Sequence, residues 1–209
     1  MQFSEWEPLY LQILADFGFD RSEDERSARI LSDLLNRDGT ATLSNLREIV
    51  SGRDVAVCGN APSLASDLQS IRQDQITIAA DGATTVLLEN GMIPDVIVTD
   101  LDGVIDDIVS ASKKRSFVVV HAHGDNIPAV RSVVPMLKRT RVLGTTQSEP
   151  FGNIHNFGGF SDGDRCVFLA DELHAASVSL FGFDYDDPHV SDVKRKKLIW
   201  AKRLIEEYR

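Results

Sequence analysis

Apolar positions follow two different patterns along this chain. In the first fifty residues they recur at helical spacing, with Leu9, Leu11, Ile13 and Leu14 in one stretch and Ile30, Leu31, Leu34 and Leu35 in the next. Ser4 with Glu7, and Ser22 with Glu25, have the spacing of a capping box, and Gly18 and Asp38-Gly39 supply stops. A third, short helix is predicted over 43–50. From Asp54 onward short continuous runs take over: Val55–Cys58, Ile76–Ala80, Val96–Thr99, Phe117–Val120, Arg141–Leu143 and Ser177–Phe181. Helical segments are predicted between most of these runs, over 63–72, 83–90, 104–114, 126–138 and 163–175, and a basic helix closes the chain over 190–208. Apolar runs that do not alternate, separated by helices, predict a mostly parallel sheet covered on both faces. The expectation is an α/β domain over 51–209 preceded by a small helical N-terminal subdomain over 1–50.

Composition leaves this picture standing and narrows the partners. A chain of 209 residues, 43% hydrophobic and 26% charged, can bury a core without disulfide or metal staples. The net charge of -10 repels nucleic-acid backbones and anionic membranes, so neither is an expected partner. It repels nucleotides as well, so a nucleotide site here must bring its own cations. Cys58 and Cys166 are far apart and read as reduced, buried thiols. The N-terminus carries no basic-then-apolar leader, and no apolar run reaches the roughly 18 residues a membrane span needs. The expected location is cytoplasmic.

In open parallel sheets, ligands bind where the strands end. Asp100 and Asp102 follow the third apolar run and precede Gly103. Two carboxylates so close repel one another unless a cation lies between them, and Mg²⁺ is commonly held by one or two carboxylates with phosphate oxygens. Asp81, with Gly82, ends the preceding run. It is a candidate third ligand, a partner for a substrate hydroxyl, or a helix cap. Gly59-Asn60-Ala61-Pro62-Ser63 forms a strand-to-helix turn whose backbone N–H groups suit a phosphate, although neither a G-x-G-x-x-G nor a Walker A pattern is present. His121-Ala122-His123-Gly124-Asp125-Asn126 is dense in polar groups but lacks the further ligands of a zinc site, so contact with nucleotide or Mg²⁺ is the expectation. The irregular stretch Asn156–Arg165 brings Gly158 and Gly159, which permit close approach of a ligand, together with Asp162 and the phosphate-binding candidate Arg165. Lys194, Lys196 and Lys197 could face the rim and offset phosphate charge, but a basic run on a helix reads first as a solvated face.

Taken in order, these motifs resemble the archaeal 6-hydroxymethyl-7,8-dihydropterin pyrophosphokinase family. The resemblance is carried by Gly59–Leu64, Asp81-Gly82-Ala83, Pro94-Asp95, Thr99–Gly103, His121–Asn126, Gly144-Thr145-Thr146-Gln147, Asn156–Arg165 and Lys197–Ala201, and it covers nearly the whole chain. The central region is also similar to the thiamin pyrophosphokinase catalytic domain, where a D-G-A and a G-D-x-D-S segment hold Mg²⁺ and ATP; here Thr99 replaces the glycine and Gly103 the serine. The resemblance implies a Rossmann-like, thiamin pyrophosphokinase-like fold, a homodimer, and transfer of diphosphate from ATP to a hydroxymethyl pterin with release of AMP. It implies Mg²⁺ on Asp81, Asp100 and Asp102, with Asp125 as a further ligand or the group that positions the attacking hydroxyl. His123 is implied at phosphate, and Asn60, Thr145, Thr146 and Gln147 at nucleotide or pterin. The helical N-terminus and the loop with Phe157 and Phe160 are implied to shape the pterin pocket.

Other chemistries share these residues. Asp100-Leu101-Asp102-Gly103 after an apolar strand mimics the nucleophile motif of haloacid-dehalogenase phosphatases, with Asp100 as the phosphorylated residue. That motif normally opens its fold, whereas two strand–helix units precede it here. A D-x-D nucleotide-sugar transferase and a non-catalytic nucleotide-binding module are the remaining alternatives.

Overall fold

The computed structural model describes residues 1–209. Three helices lead, α1 (Phe3–Phe17), α2 (Arg21–Leu35) and α3 (Leu43–Val50). Strands and helices then alternate through β1 (Asp54–Cys58), α4 (Leu64–Asp67), β2 (Ile76–Ala80), α5 (Ala83–Glu89), β3 (Val96–Thr99), α6 (Ile105–Lys114), β4 (Phe117–Ala122), α7 (Ile127–Val133) and β5 (Val142–Thr146). A two-residue β6 (Ile154–His155), α8 (Asp162–Glu172), β7 (Ser177–Phe181) and α9 (Asp192–Tyr208) complete the chain. All seven strands are parallel, in the order β6-β5-β4-β3-β2-β1-β7. The sheet therefore grows from β1 toward β6, and the chain then crosses back to place β7 on the other side of β1.

The two faces of the strands separate cleanly. Val55, Val57, Ile78, Val96, Val98 and Val119 pack under α3 and α8. Ile97, Val118, Val120 and Val142 pack on the opposite side under α2, α6 and α7. Period-two alternation inside continuously apolar strands is what two covered faces require. The leading helices contribute to these same cores: Leu46 and Val50 to the first, Ala28, Leu31 and Leu35 to the second. α1 packs outside α8 and against α9 through Trp6, Tyr10, Ile13, Phe168, Trp200 and Leu204. Gly144 lets α2 reach the sheet, since a Cβ there would lie 2.6 Å from Ile154 and 2.9 Å from Leu35.

The helix starts differ from the capping boxes expected at Ser4 and Ser22. α1 begins two residues earlier, in a reciprocal cap between Gln2 and Glu5, because Met1 and Phe3 pack into the α1–α9 cluster. α2 is capped by Asp20, whose carboxylate accepts from the Ser22 N–H at 2.8 Å. Two expected helices are short. Over 63–72 the helix α4 passes into a 3-10 turn at Leu68–Ser70, and over 126–138 the helix α7 gives way to another at Val134–Met136. Pro135 lacks the N–H that would continue the α ladder there.

Candidate active site

The site is built on a sharp reversal at the end of β3. Leu101 adopts a left-handed backbone, φ 68°, a conformation unusual for a bulky residue. It is buried and its N–H donates to Thr99 Oγ1 at 2.8 Å, which holds the reversal in place. Asp100 and Asp102 flank it. Asp81, with its own positive φ of 21°, leaves the neighbouring strand β2, and its carboxylate accepts from the Thr99 hydroxyl. Gly103 leaves room for that carboxylate, since a Cβ there would lie 2.9 Å from Asp81 Cγ and nearer still to Oδ2. From the far side, Asp162 enters at the first turn of α8. One carboxylate oxygen from each of Asp81, Asp100, Asp102 and Asp162 lies within 4.8 Å of the others.

The charges in this cluster are not comfortable alone. Burial, with the charges of Asp102 and Asp100, pushes the Asp81 carboxyl up to about 7 despite the Thr99 hydrogen bond. Burial and the Asp100 charge raise Asp102 and, more strongly, Asp162. Asp100 is the exception. Burial raises it too, but the His123 ring, 3.3 Å from Oδ2, and the Arg165 charge outweigh burial and hold it well below the usual carboxylate range. Its other oxygen, Oδ1, is buried without a partner. Four hard oxygen donors, one of them orphaned, fit a divalent cation such as Mg²⁺.

A cavity of 560 Å³ opens above the cluster. Asp81, Asp100, Asp102, Asp125, Gly59, Asn60, Gly82, His123, Gly124, Gln147, Asp162 and Arg165 all line it, so most of the expected site residues converge. Asp125 is exposed on the rim. The Asn60 side chain lies against Gly82: a Cβ there would stand 3.1 Å from Asn60 Cγ and nearer still to Nδ2.

Other expected contacts lie elsewhere. Asn126 is a buried strut: its amide donates to the carbonyls of Asp100 (2.8 Å) and His121 (2.7 Å) and accepts from Ser27 Oγ at 3.1 Å. Thr145 lies behind the site, donating to the Val120 carbonyl beside His121, and Thr146 pairs with Ser148. Ser63 is exposed at the start of α4, and its carbonyl accepts from Ser66 and Asp67. Gly158 is buried, φ 88°, and its close approach is to Met1 and Phe168 rather than to the cavity. Phe157 joins the core under α8, whereas Phe160 does line the cavity. Arg165 is engaged by Asp162 at 3.1 Å and Gln147 Oε1 at 3.4 Å, with Nε left unpartnered.

One role and one residue escaped the sequence reading. Asp162, expected as a ligand contact in the irregular stretch, instead joins the carboxylate cluster, which a position seven residues past the nearest strand does not signal. Asp24 is buried at 3% exposure and gathers three donors: Tyr10 Oη (2.7 Å), Gln147 Nε2 (2.7 Å) and the Gly124 N–H (2.8 Å). Its signal was available, because Asp24, Ser27, Ala28, Leu31 and Leu35 form one helical stripe, and a carboxylate in phase with a buried stripe needs partners.

Comparison with known proteins identifies the family. A family described as 6-hydroxymethylpterin diphosphokinase MptE-like matches residues 30–189. The chain is 45% identical to the 6-hydroxymethyl-7,8-dihydropterin pyrophosphokinase of Methanothermobacter thermautotrophicus, over 99% of this chain and 94% of that protein. It is 39% identical to the protein of that name from Methanocaldococcus jannaschii, over 98% and 95%, and 40% identical to that from Pyrococcus furiosus, over 99% and 94%. Among solved structures, the MAf glycosyltransferase of Magnetospirillum magneticum AMB-1 superposes with a TM-score of 0.46 at 18% identity, over 78% of this chain and 29% of that one. No helix is long and apolar enough to cross a membrane. On the family match and the full-length similarity to three pyrophosphokinases, this chain belongs to the 6-hydroxymethylpterin diphosphokinase MptE-like family.

Proposed function

We propose that this protein transfers the β,γ-diphosphate of ATP to the hydroxymethyl oxygen of 6-hydroxymethyl-7,8-dihydropterin and releases AMP. The observation that carries the reading is the cluster of Asp81, Asp100, Asp102 and Asp162 at the strand ends of a chain of this family. The substrate oxygen forms a bond to the β-phosphorus while the bond from that phosphorus to the α,β-bridging oxygen breaks. Negative charge gathers on phosphoryl oxygens, so alignment and electrostatic stabilisation supply most of the acceleration.

The residues divide this work. Asp81, Asp100, Asp102 and Asp162 would hold Mg²⁺, which when bound neutralises phosphoryl charge. His123 holds one oxygen of Asp100 and leaves the other free. Asn126 fixes the Asp100 backbone from below. Asp125 lines the cavity and is exposed, which supports a role in orienting the attacking hydroxyl and taking its proton toward solvent. Family membership favours this reading over the phospho-aspartate and sugar-nucleotide chemistries that a D-x-D pair also permits.

One incubation tests the reaction: ATP, Mg²⁺ and a panel of hydroxymethyl pterins and thiamin, followed by phosphorus NMR. AMP with a pterin diphosphate ester is the expected product pair. ADP with a monophosphate ester, or free phosphate alone, rejects it. The ester is a precursor for either a methanopterin or a folate coenzyme, and the pterin preferred in that panel separates the two. The same reading includes a cytoplasmic homodimer, for which light scattering should give twice the chain mass.

A further inference from the structure

The cavity has two unlike halves on either side of the carboxylate cluster. We propose that the donor nucleotide occupies the half between the loops after β1 and β7 and the start of α9, with Lys194, Lys197 and the Tyr185 hydroxyl binding its phosphates. This assignment rests on the pyrophosphokinase reading and divides a cavity which that reading leaves whole.

Topology gives the first reason. β1 has β2 on one side and β7 on the other, so the chain leaves β1 and β7 in diverging directions. A crevice forms where strand order reverses, outside the carboxyl ends of the strands. Its floor is pressed tight. A Cβ at Gly59 would lie 2.6 Å from the Gly182 carbonyl oxygen and 3.0 Å from the Phe183 ring, and the Ala61 N–H donates to that same carbonyl at 2.9 Å. Two loops locked backbone to backbone hold the residues above them in fixed positions.

Charge gives the second. Three cationic side chains line the cavity: Arg165, Lys194 and Lys197. Arg165 is already paired with Asp162. Lys194 and Lys197 line it without a salt bridge. A triphosphate needs cations beyond one divalent ion, and these two are the ones on offer. Lys196, the neighbouring lysine, faces away, its ammonium 4.7 Å from the centre of the Phe17 ring.

The third reason is an orphaned donor. Tyr185 Oη is buried with no hydrogen-bond partner, on a side chain that lines this half of the cavity beside Phe183. A buried hydroxyl without a partner is uncommon and suits a ligand acceptor.

The opposite half is unfavourable for phosphate. The start of α2 and the turn after β4 bring Asp20, Glu23, Asp24 and Asp125 to the lining, with the rings of Phe19 and Phe160. Carboxylates beside aromatic rings suit a flat, neutral heterocycle rich in N–H donors, which describes the acceptor.

Titration calorimetry separates the halves. The probes are α,β-methylene-ATP with Mg²⁺, whose bridging bond cannot be cleaved, and 6-hydroxymethylpterin alone. Lys194 is exposed and Lys197 half-buried, so Lys194→Ala with Lys197→Ala should fold as the parent does. This double variant, and Tyr185→Phe, should each weaken the nucleotide analogue by about tenfold or more, as expected for loss of a hydrogen bond to a charged group, and leave pterin affinity unchanged. Unchanged nucleotide affinity in both variants, or weakening of the pterin instead, overturns the assignment while leaving the pyrophosphokinase reading intact. A parent protein that binds pterin and no adenine nucleotide overturns both together.

Discussion

A single methyl group at Gly103 should disable the carboxylate cluster without unfolding the protein. The Gly103 backbone is not in the left-handed region, so alanine is permitted there on conformational grounds. The added Cβ would stand 2.9 Å from Asp81 Cγ and 3.2 Å from Oδ1, where ordinary contacts begin near 3.4 Å. The carboxylate must therefore retreat by at least half an ångström, and by more at Oδ2. It has little freedom to do so, being 7% exposed and held by the Thr99 hydroxyl. Mg²⁺ requires oxygens in near-ideal octahedral positions, and a displacement near 1 Å at a reacting centre can lower the rate about a hundredfold. Gly103→Ala should therefore lose about a hundredfold in turnover at saturating ATP and need higher Mg²⁺ to reach half-maximal rate. Its far-ultraviolet circular dichroism should match that of the parent. A variant with parental turnover and an unaltered Mg²⁺ response would falsify the claim that Asp81 and the Asp100–Gly103 turn act as one metal-binding unit.

Further outcomes follow from the same cluster and from the packing around it. Asp102→Asn should lower turnover by about a hundredfold or more, yet raise the melting temperature measured in chelator, because burial and Asp100 disfavour its charge. In metal-free protein the Asp81 contribution to stability should fall as pH rises from about 4 to about 7, so the pH profile in chelator should decline relative to that in Mg²⁺. The Asp81 carboxyl is raised from 3.8 to about 7, so the folded state holds its proton more tightly than the unfolded chain does, and that advantage is lost across this window. Melting curves in chelator and in excess Mg²⁺ test it, with a flatter profile expected in Mg²⁺. Gly144→Ala, which drives a methyl into Ile154, Leu31 and Leu35, should cost about 1–3 kcal/mol in a denaturant titration.

Most strand ends were readable because the apolar run stops where the strand stops; β4 and β5 instead run on to Ala122 and Thr146, past the Val120 and Leu143 at which their apolar runs end, because polar His121, Thr145 and Thr146 continue the ladder. Val96–Thr99 and Ile76–Ala80 are identical in sequence reading and structure, and the aspartates that follow them meet. What stayed hidden depended on contacts distant in sequence. The true start of α1 is decided by Met1 and Phe3 packing beside α9, and no local capping pattern encodes that. β6 has two residues and leaves no periodic trace. Asp162 joins Asp100 only because α8 crosses over the strands. Asn126 and Thr145 carry the polar side chains expected of ligand contacts, but their hydrogen bonds are spent within the fold. Lys194, Lys196 and Lys197 look alike in sequence, and only the way α9 is seated separates the two that line the cavity from the one that does not.

The buried carboxylate of Asp24 has a consequence for how small this protein can be made. It fastens Tyr10 of α1, the Gly124 turn and Gln147 of the sheet side into one knot. A fragment starting after residue 50 would strip the covering from β4 and β5 and release the turn that aims His123 at Asp100. Trimming the leading helices should therefore unfasten the proposed site itself, and a fragment without them is expected to lose the His123–Asp100 contact.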